Sequence, residues 1–262
     1  MRRRSNNRSV DQPTDKLNFS DMSFGKYFTK GQKVFLKRLY SNEEPPTVDT
    51  ITGYAVHSEP MQLDLALPYG SDAADSYPFE PGMQFEIMTD SRGMGLRLTA
   101  SFVEKISRQD IRLEFAGDLE FISRRSYQRV DVNAWVGLQR GEGSLAEMRQ
   151  TWRDHLEKIK SGVSAAELTE FDKYLVNLAG GGMRLPMQPP VKMSELVLVY
   201  VSIGDKKGII CGLAEVIWVA EEEQSNGLQL TGLRFLKILE EDQARLDAVV
   251  NTLLDRLDKA GT

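Results

Sequence analysis

The sequence predicts a mainly β protein made of two small antiparallel units in tandem. Two series of short β-prone runs, separated by turn-rich pieces and divided near Phe121, carry this prediction. Short strands at such spacing are typical of a small barrel or sandwich. The chain has 262 residues, which is enough for two domains that each bury a core without a metal or a disulfide.

The first unit is predicted over residues 31–121. Its β-prone runs are residues 34–36, 50–56, 61–67, 83–88, 96–103 and 111–115, with turn-rich pieces such as 68–72 between them. Residues 1–30 hold seven Lys or Arg against three Asp, among many other polar residues. This composition predicts a mobile basic arm in front of the first unit, either solvated or in contact with a partner.

The second unit is predicted over residues 122–262 and begins with a linker at 122–129. Its β-prone runs are residues 130–132, 173–178, 183–185, 196–201, 209–219 and 228–235. A helical insertion at about 142–172 interrupts the series after the first run. Apolar residues at helical spacing predict its main helix, and a capping box from Ser164 to Glu167 predicts a second helical turn. The apolar residues are Leu145, Met148, Trp152, Leu156 and Ile159.

A C-terminal helix is predicted at about 240–259. Its apolar residues repeat with helical period at Leu246, Val249, Val250, Leu253, Leu254 and Leu257. Such a stripe favours packing over an open end of its own barrel. The alternative is pairing with the same helix of a second chain in a homodimer.

Composition and charge exclude several classes of protein. The single Cys211 excludes an internal disulfide framework and indicates a reducing, cytoplasmic setting. Neither a signal peptide nor a membrane span is expected, because no apolar run is long enough. The net charge is −5, and the acidic body outside the arm disfavours general binding of nucleic acid polymers. The only histidines, His57 and His155, have no metal-ligand spacing with Cys211, so neither a metal nor catalysis is expected.

Two short motifs suggest one anionic, planar ligand. Arg124, Arg125 and Arg129 lie within six residues on the predicted linker, and guanidinium groups bind phosphate through parallel donors and stack on bases. The second motif opens with Asn177, whose amide can read the edge of a base, and ends in three successive glycines, residues 180–182. Glycines remove side chains and permit a sharp turn, so a flat ligand can come close. No Walker-type lysine follows them, which argues against a P-loop.

Together these motifs resemble the PilZ domain, a family that binds the bacterial second messenger cyclic di-GMP. The family signature is Arg-x-x-x-Arg just before the first barrel strand, followed by Asp/Asn-x-Ser-x-x-Gly. Arg125 and Arg129 match the first part, and Asn177 and Gly182 match the ends of the second. Ala179 stands where the family usually has serine. Residues 216–218 and 232–235 are similar to the later strands of the domain, and residues 33–121 resemble the amino-terminal domain of flagellar-brake-type PilZ proteins.

The resemblance implies a fold and a ligand site. The fold is mainly β, with two small antiparallel β-barrel domains in tandem, the second a PilZ-type six-stranded barrel with a helical insertion and a C-terminal helix. The implied cyclic di-GMP site is Arg124, Arg125, Arg129, Asn177, Ala179 and Gly182. The arginines would bind phosphate and guanine, Asn177 would read a base and Gly182 would form the turn. Arg124 favours a self-intercalated pair of ligand molecules.

The resemblance also implies a receptor that is not an enzyme and needs no cofactor. Ligand would pull the linker and the barrel together and change the angle between the domains. A protein partner would receive this change, such as a flagellar motor or polysaccharide-secretion component, with effects on motility, biofilm or secretion. The alternative is a degenerate PilZ protein-interaction module, which Ala179 would favour. The insertion could offer a partner surface or cover the site.

Overall fold

A computed structural model describes residues 24–40, 43–91, 93–123, 127–205, 207–224 and 226–260. The first six strands form a closed antiparallel barrel in the order β1-β4-β5-β6-β3-β2, in which β2 also pairs with β1. A short helix, α1 (Ala73–Ser76), lies between the third and fourth strands. The strands are β1 (Lys33–Arg38), β2 (Thr47–Ser58), β3 (Gln62–Ala66), β4 (Gln84–Ser91), β5 (Met94–Lys105) and β6 (Asp110–Ile122).

The next six strands form a second closed antiparallel barrel. Their order is β12-β11-β10-β7-β8-β9, and β9 also pairs with β12. The fold class predicted from the sequence is therefore confirmed. The strands are β7 (Val130–Arg140), β8 (Phe171–Ala179), β9 (Gly182–Met187), β10 (Leu196–Ser202), β11 (Ile210–Glu223) and β12 (Gln229–Leu239).

The segment before the first barrel differs in part from the predicted mobile arm. Residues Phe24–Tyr27 form a 3-10 helix, and the rings of Phe24 and Phe28 are buried in the first core against Phe115. The arm was predicted to extend to residue 30 because polar and basic residues dominate this region. Burial of the two phenylalanines outweighs that composition, since each large aromatic ring removes much apolar surface from water. Residues 1–23 lie outside the described residues.

The helical insertion packs on the outside of the second barrel. It contains α2 (Leu145–Lys160) and α3 (Ala165–Leu168), each of which begins with a complete capping box. Strand β10 is buried on both faces, because Val197, Val199 and Val201 face the barrel core while Leu198 and Tyr200 pack in the cluster that contains α2. This explains why β10 is a continuous apolar run in the sequence.

The C-terminal helix α4 (Glu240–Ala260) packs against its own barrel. Leu246 and Val250 are buried in the core of the second barrel, and Leu253 and Leu254 pack against the same cluster. Leu257, near the end of the helix, is exposed. The apolar stripe is therefore used within the chain over most of its length. Within the described ranges, no helix has both the length and the apolar character needed to cross a membrane.

A short antiparallel pairing joins the two barrels. Strand β2 pairs with β12, with Asp49 opposite Lys237 and Thr47 opposite Leu239. From α2, the guanidinium of Arg149 donates to both carboxylate oxygens of Asp49, at 2.8 and 2.6 Å. The insertion therefore ties the second barrel to the first, a role that its sequence does not show.

A buried carboxyl also crosses the junction. The hydroxyls of Thr52 and Tyr69, both in the first barrel, donate to Oε2 of Glu215 on β11, at 2.6 and 2.9 Å. Among the described residues, Oε1 of Glu215 has no hydrogen-bond partner. Burial raises the pKa of Glu215 above its ordinary value despite the two donors.

We expect the unfolding free energy of Glu215→Gln to rise relative to that of wild type as pH increases from 5 to 8. Because the folded state favours the protonated carboxyl, ionisation of Glu215 opposes folding above its ordinary pKa of about 4, and glutamine cannot ionise. Urea unfolding at both pH values measures this difference, with the exposed Glu114→Gln as control. The expectation would be contradicted if the difference in unfolding free energy between wild type and Glu215→Gln were the same at both pH values.

Candidate ligand-binding site

A cleft of about 320 Å³ lies in the second barrel, beside the turn between β8 and β9. Its volume falls in the usual range for small-molecule sites. Four residues of the predicted site line it together, namely Arg129, Asn177, Ala179 and Gly182. The other two, Arg124 and Arg125, lie outside the described residues. The remaining lining residues are Tyr127, Gly181, Met183, Arg184, Ile217, Trp218, Gly232, Leu233 and Arg234.

Strand alternation explains why Asn177 and Ala179 reach the same cleft. They are two residues apart on β8, so they share a face, while the intervening Leu178 points into the barrel core. The amide Nδ2 of Asn177 donates to Oδ1 of Asp131 on β7 at 2.7 Å. The guanidinium of Arg184, opposite Asn177 on β9, lies 3.8 Å from the same carboxylate oxygen. The hydrogen bond to Asp131 fixes the position of the Asn177 amide and uses one of its two donor protons.

The glycine turn is shaped by the protein's own side chains. A Cβ on Gly181 would lie 2.6 Å from the ring of Tyr127, and a Cβ on Gly182 would lie 2.1 Å from the carbonyl oxygen of Leu233. Gly182 also has a φ of +151°, which other residues rarely adopt. The sequence motif predicted that these glycines allow the close approach of a flat ligand. In the structure, the space above Gly181 holds Tyr127 instead.

Tyr127 fixes the linker to the turn. Nε2 of Gln243 on α4 donates to the Tyr127 hydroxyl and to the carbonyl oxygen of Gly180, both at 3.2 Å. Tyr127 lies two residues before Arg129, so this anchor holds the end of the linker that leads into β7 against the β8–β9 turn. Tyr127 was not predicted as a site residue, because a single aromatic residue in a charged linker belongs to neither sequence motif.

Two residues of later strands complete the cleft and were also missed as site residues. Trp218 on β11 is 45% exposed, which leaves one side of a large ring open to a planar ligand. Arg234 on β12 adds a guanidinium beside Arg129. Both residues lie in β-prone runs, 209–219 and 228–235, that predicted later strands of the second unit. Only the pairing of β12 with β9 and β11 shows that they lie beside the glycine turn.

Arg234 is half-buried, and its guanidinium carbon lies 3.7 Å from the centre of the Phe35 ring on β1. Burial, together with the positive charge of Arg129, lowers the pKa of Arg234 to about 10. The group therefore remains charged at neutral pH. Its location places a desolvated positive charge between the two barrels.

A second cleft of about 590 Å³ continues from the first into the space between the barrels. Arg129, Ile217, Trp218 and Arg234 line both. The first barrel contributes residues such as Gln32, Lys33 and Phe35 to the second cleft. Residues 142–172, all of which the structure describes, line neither cleft, so α2 and α3 do not cover this site. Within the described ranges, no group of three or more His, Cys, Asp or Glu side chains could hold a metal ion.

The family model for the PilZ domain matches residues 123–252. This range contains the arginine linker, the glycine turn, the whole second barrel and most of α4. Residues 123–252 of the chain are therefore a PilZ domain, as the two sequence motifs predicted. No curated protein matches the chain significantly.

Several solved structures are similar to the chain across both barrels. The inhibitor of motility MotI/DgrA of Bacillus subtilis has 18% identity and a TM-score of 0.35, with 88% of this chain and 99% of that chain covered. YcgR of Escherichia coli, in complex with c-di-GMP, has 14% identity and a TM-score of 0.35, with coverages of 88% and 87%. MrkH of K. pneumonia in its apo state has 12% identity and a TM-score of 0.40, with coverages of 90% and 92%.

Proposed function

We propose that this chain is a cyclic di-GMP receptor without catalytic activity. The observation that carries the proposal is the meeting of Arg129 with Asn177, Ala179 and Gly182 at one cleft of a PilZ domain. These residues come from a linker and a hairpin that are far apart in sequence. Their combination offers what a cyclic dinucleotide needs, namely a cation for phosphate, an amide for a base edge and a flat, open wall.

Each part of the cleft has a role in this proposal. Arg129, with Arg125, would bind phosphate and guanine, while Asn177 would read a base edge. The exposed ring of Trp218 offers a stacking surface for a base, as aromatic side chains do for nucleobases generally. Gly182 supports the turn by allowing its close contact with Leu233. Arg124 would add a further stacking group if two ligand molecules bind together.

The receptor would signal through the angle between its barrels. The β2–β12 pairing and the bond from Arg149 to Asp49 hold the barrels together at one junction. A ligand at the cleft would therefore rotate the barrels about this junction, since separating them would break both contacts. The states with and without ligand would differ in the cleft between the barrels, and a protein partner of motility or secretion would recognise one of them.

The second candidate function is a protein-interaction module of the PilZ type with weak or no nucleotide binding. Ala179 favours it, because this position lacks the hydroxyl that the signature provides. A neutral hydrogen bond contributes about 0.5–1.5 kcal/mol, so the missing bond alone would reduce affinity roughly threefold to tenfold. That loss is small compared with the contribution of charged arginine contacts.

Titration calorimetry of the full chain with cyclic di-GMP tests the proposal. We expect heat that saturates with tens of micromolar ligand, and a stoichiometry near two if Arg124 supports a self-intercalated pair. Cyclic di-AMP provides a control for recognition of the guanine edge. No heat from cyclic di-GMP in this range would leave the interaction module as the better description.

Ala179→Ser should strengthen cyclic di-GMP binding about threefold to tenfold, because the hydroxyl adds one hydrogen bond at the cleft. The side chain of residue 179 lines the cleft beside Asn177, so the new group is placed on the ligand face of β8. Calorimetry of wild type and variant under matched conditions measures the change. Leu175→Ser on the same strand is the control, and an unchanged affinity for Ala179→Ser would mean that the turn is not used as proposed.

A further inference from the structure

Arg234 has an arrangement that the two signature motifs do not explain. It lies on β12, more than fifty residues beyond the glycine turn, yet it lines both clefts and contacts the first barrel through Phe35. Arg129 is near enough for its charge to affect Arg234. The site thus holds two guanidinium groups whose mutual repulsion an anion between them would relieve.

Arg234 forms no ion pair among the described residues, although the buried carboxyl of Glu215 is near enough for its charge to raise the pKa of Arg234. In the part of the chain that the structure describes, no carboxylate lies within ion-pair distance of its guanidinium, and no hydrogen bond from this group is found. Elsewhere in the same chain the least exposed arginines are paired: Arg149 with Asp49, and Arg245 with Asp242 and Asp205. A desolvated guanidinium that faces a cavity and lacks such a partner is well suited to an anionic ligand.

The contact with Phe35 orients the group. The guanidinium carbon lies over the aromatic ring, 3.7 Å from its centre. The N–H donors of a guanidinium lie in its plane, where phosphate oxygens accept. The ring contact restricts the group and so reduces the orientational freedom that binding would otherwise remove. Phe35 belongs to the first barrel, so the orientation of Arg234 depends on where that barrel lies.

We propose that Arg234 is an additional phosphate-binding residue of this site, and that Phe35 positions it from the first barrel. The ligand class is a phosphodiester nucleotide, so the inference rests on the proposed function while adding a residue outside the signature. Its consequence is coupling between the domains. Ligand affinity depends on the position of the first barrel, and by thermodynamic reciprocity bound ligand holds that barrel in place.

Calorimetry with cyclic di-GMP tests the role of Arg234. We expect Arg234→Gln to weaken binding about tenfold or more, as the loss of a charged hydrogen bond does. Arg234→Lys should recover part of this affinity, because lysine keeps the charge but not the planar fork. Phe35→Leu should weaken binding about twofold to fivefold through loss of the ring contact. The exposed Arg153→Gln is the matched control, and thermal unfolding verifies that each variant is folded.

Wild-type affinity in Arg234→Gln would overturn the inference and leave the proposed function intact. If wild type gives no heat with cyclic di-GMP, the proposed function fails, and a separate measurement still tests Arg234. In that measurement, the side-chain Nε–H resonance of Arg234, assigned by its absence in Arg234→Gln, is followed during titration with inorganic pyrophosphate. A saturating shift supports an anion site at Arg234, whereas an unchanged resonance overturns it.

Discussion

Asp49→Asn is expected to destabilise the protein by about 3–5 kcal/mol, the usual effect of removing one partner from a buried ion pair. The side chains of Asp49, Arg149 and Lys237 are almost completely buried at the junction of the barrels. Lys237 would keep Glu43, whose carboxylate lies 2.6 Å from its Nζ. Arg149 would lose the one ion-pair partner that it has among the described residues and would remain as a buried charge. Urea unfolding near neutral pH measures the loss.

The effect should depend on pH in a defined direction. Burial by itself would raise the pKa of Asp49, but the hydrogen bonds and charges of Arg149 and Lys237 hold this pKa below its ordinary value. The stabilisation is therefore present above the ordinary pKa of about 4 and is lost as pH falls through the lower, folded value. The difference in unfolding free energy between wild type and Asp49→Asn should therefore become smaller at acidic pH.

The exposed Asp154→Asn on α2 is the control for both measurements. A loss of unfolding free energy below about 1 kcal/mol in Asp49→Asn at neutral pH would contradict the structural role of this ion-pair cluster.

Arg129→Ala is expected to abolish detectable binding of cyclic di-GMP at tens of micromolar ligand. Arg129 lines both clefts, so its guanidinium can reach ligand in either. Charged hydrogen bonds contribute about 1.5–3 kcal/mol each, and a bidentate contact with phosphate combines two of them. The expected loss of affinity is therefore at least about a hundredfold. Calorimetry measures it, and Arg125→Ala should behave in the same way if both arginines of the signature act together.

The folded state should be little affected by Arg129→Ala, because the side chain is exposed. Unfolding midpoints of wild type and variant should therefore agree closely, which separates a lost contact from a lost fold. Arg256→Ala, an exposed substitution on α4, controls for the change in net charge. Wild-type affinity in Arg129→Ala would show that cyclic di-GMP binds elsewhere on the chain.

Most of the fold could be predicted because its signals are local. Each of the twelve strands contains or overlaps a β-prone run, and turn residues mark their ends. Helix α2 was predictable from the helical spacing of its apolar residues, because a helix that packs on a barrel must present one apolar face. The packing of Phe24 and Phe28 was not predicted, because two rings in a polar segment carry no periodic signal.

The candidate site was predictable only where its residues form a compact motif. Arg129, Asn177, Ala179 and Gly182 belong to two short patterns, and the structure brings them to one cleft. Tyr127 and Arg234 gave no comparable signal, since each looks like an ordinary linker or strand residue. Their contacts with Gly181 and Phe35 depend on the pairing of distant strands and on the placement of the first barrel.

The sequence by itself determined two β units, a helical insertion, a C-terminal helix and two motifs of the PilZ type. These features depend on residue type and spacing within short stretches, so periodicity and turn chemistry suffice to reveal them. The tertiary structure alone decided that α2 bonds to the first barrel and that the first barrel forms one wall of the cleft beside the site. Such features arise from contacts between residues about one hundred to two hundred positions apart, for which one sequence contains no local pattern.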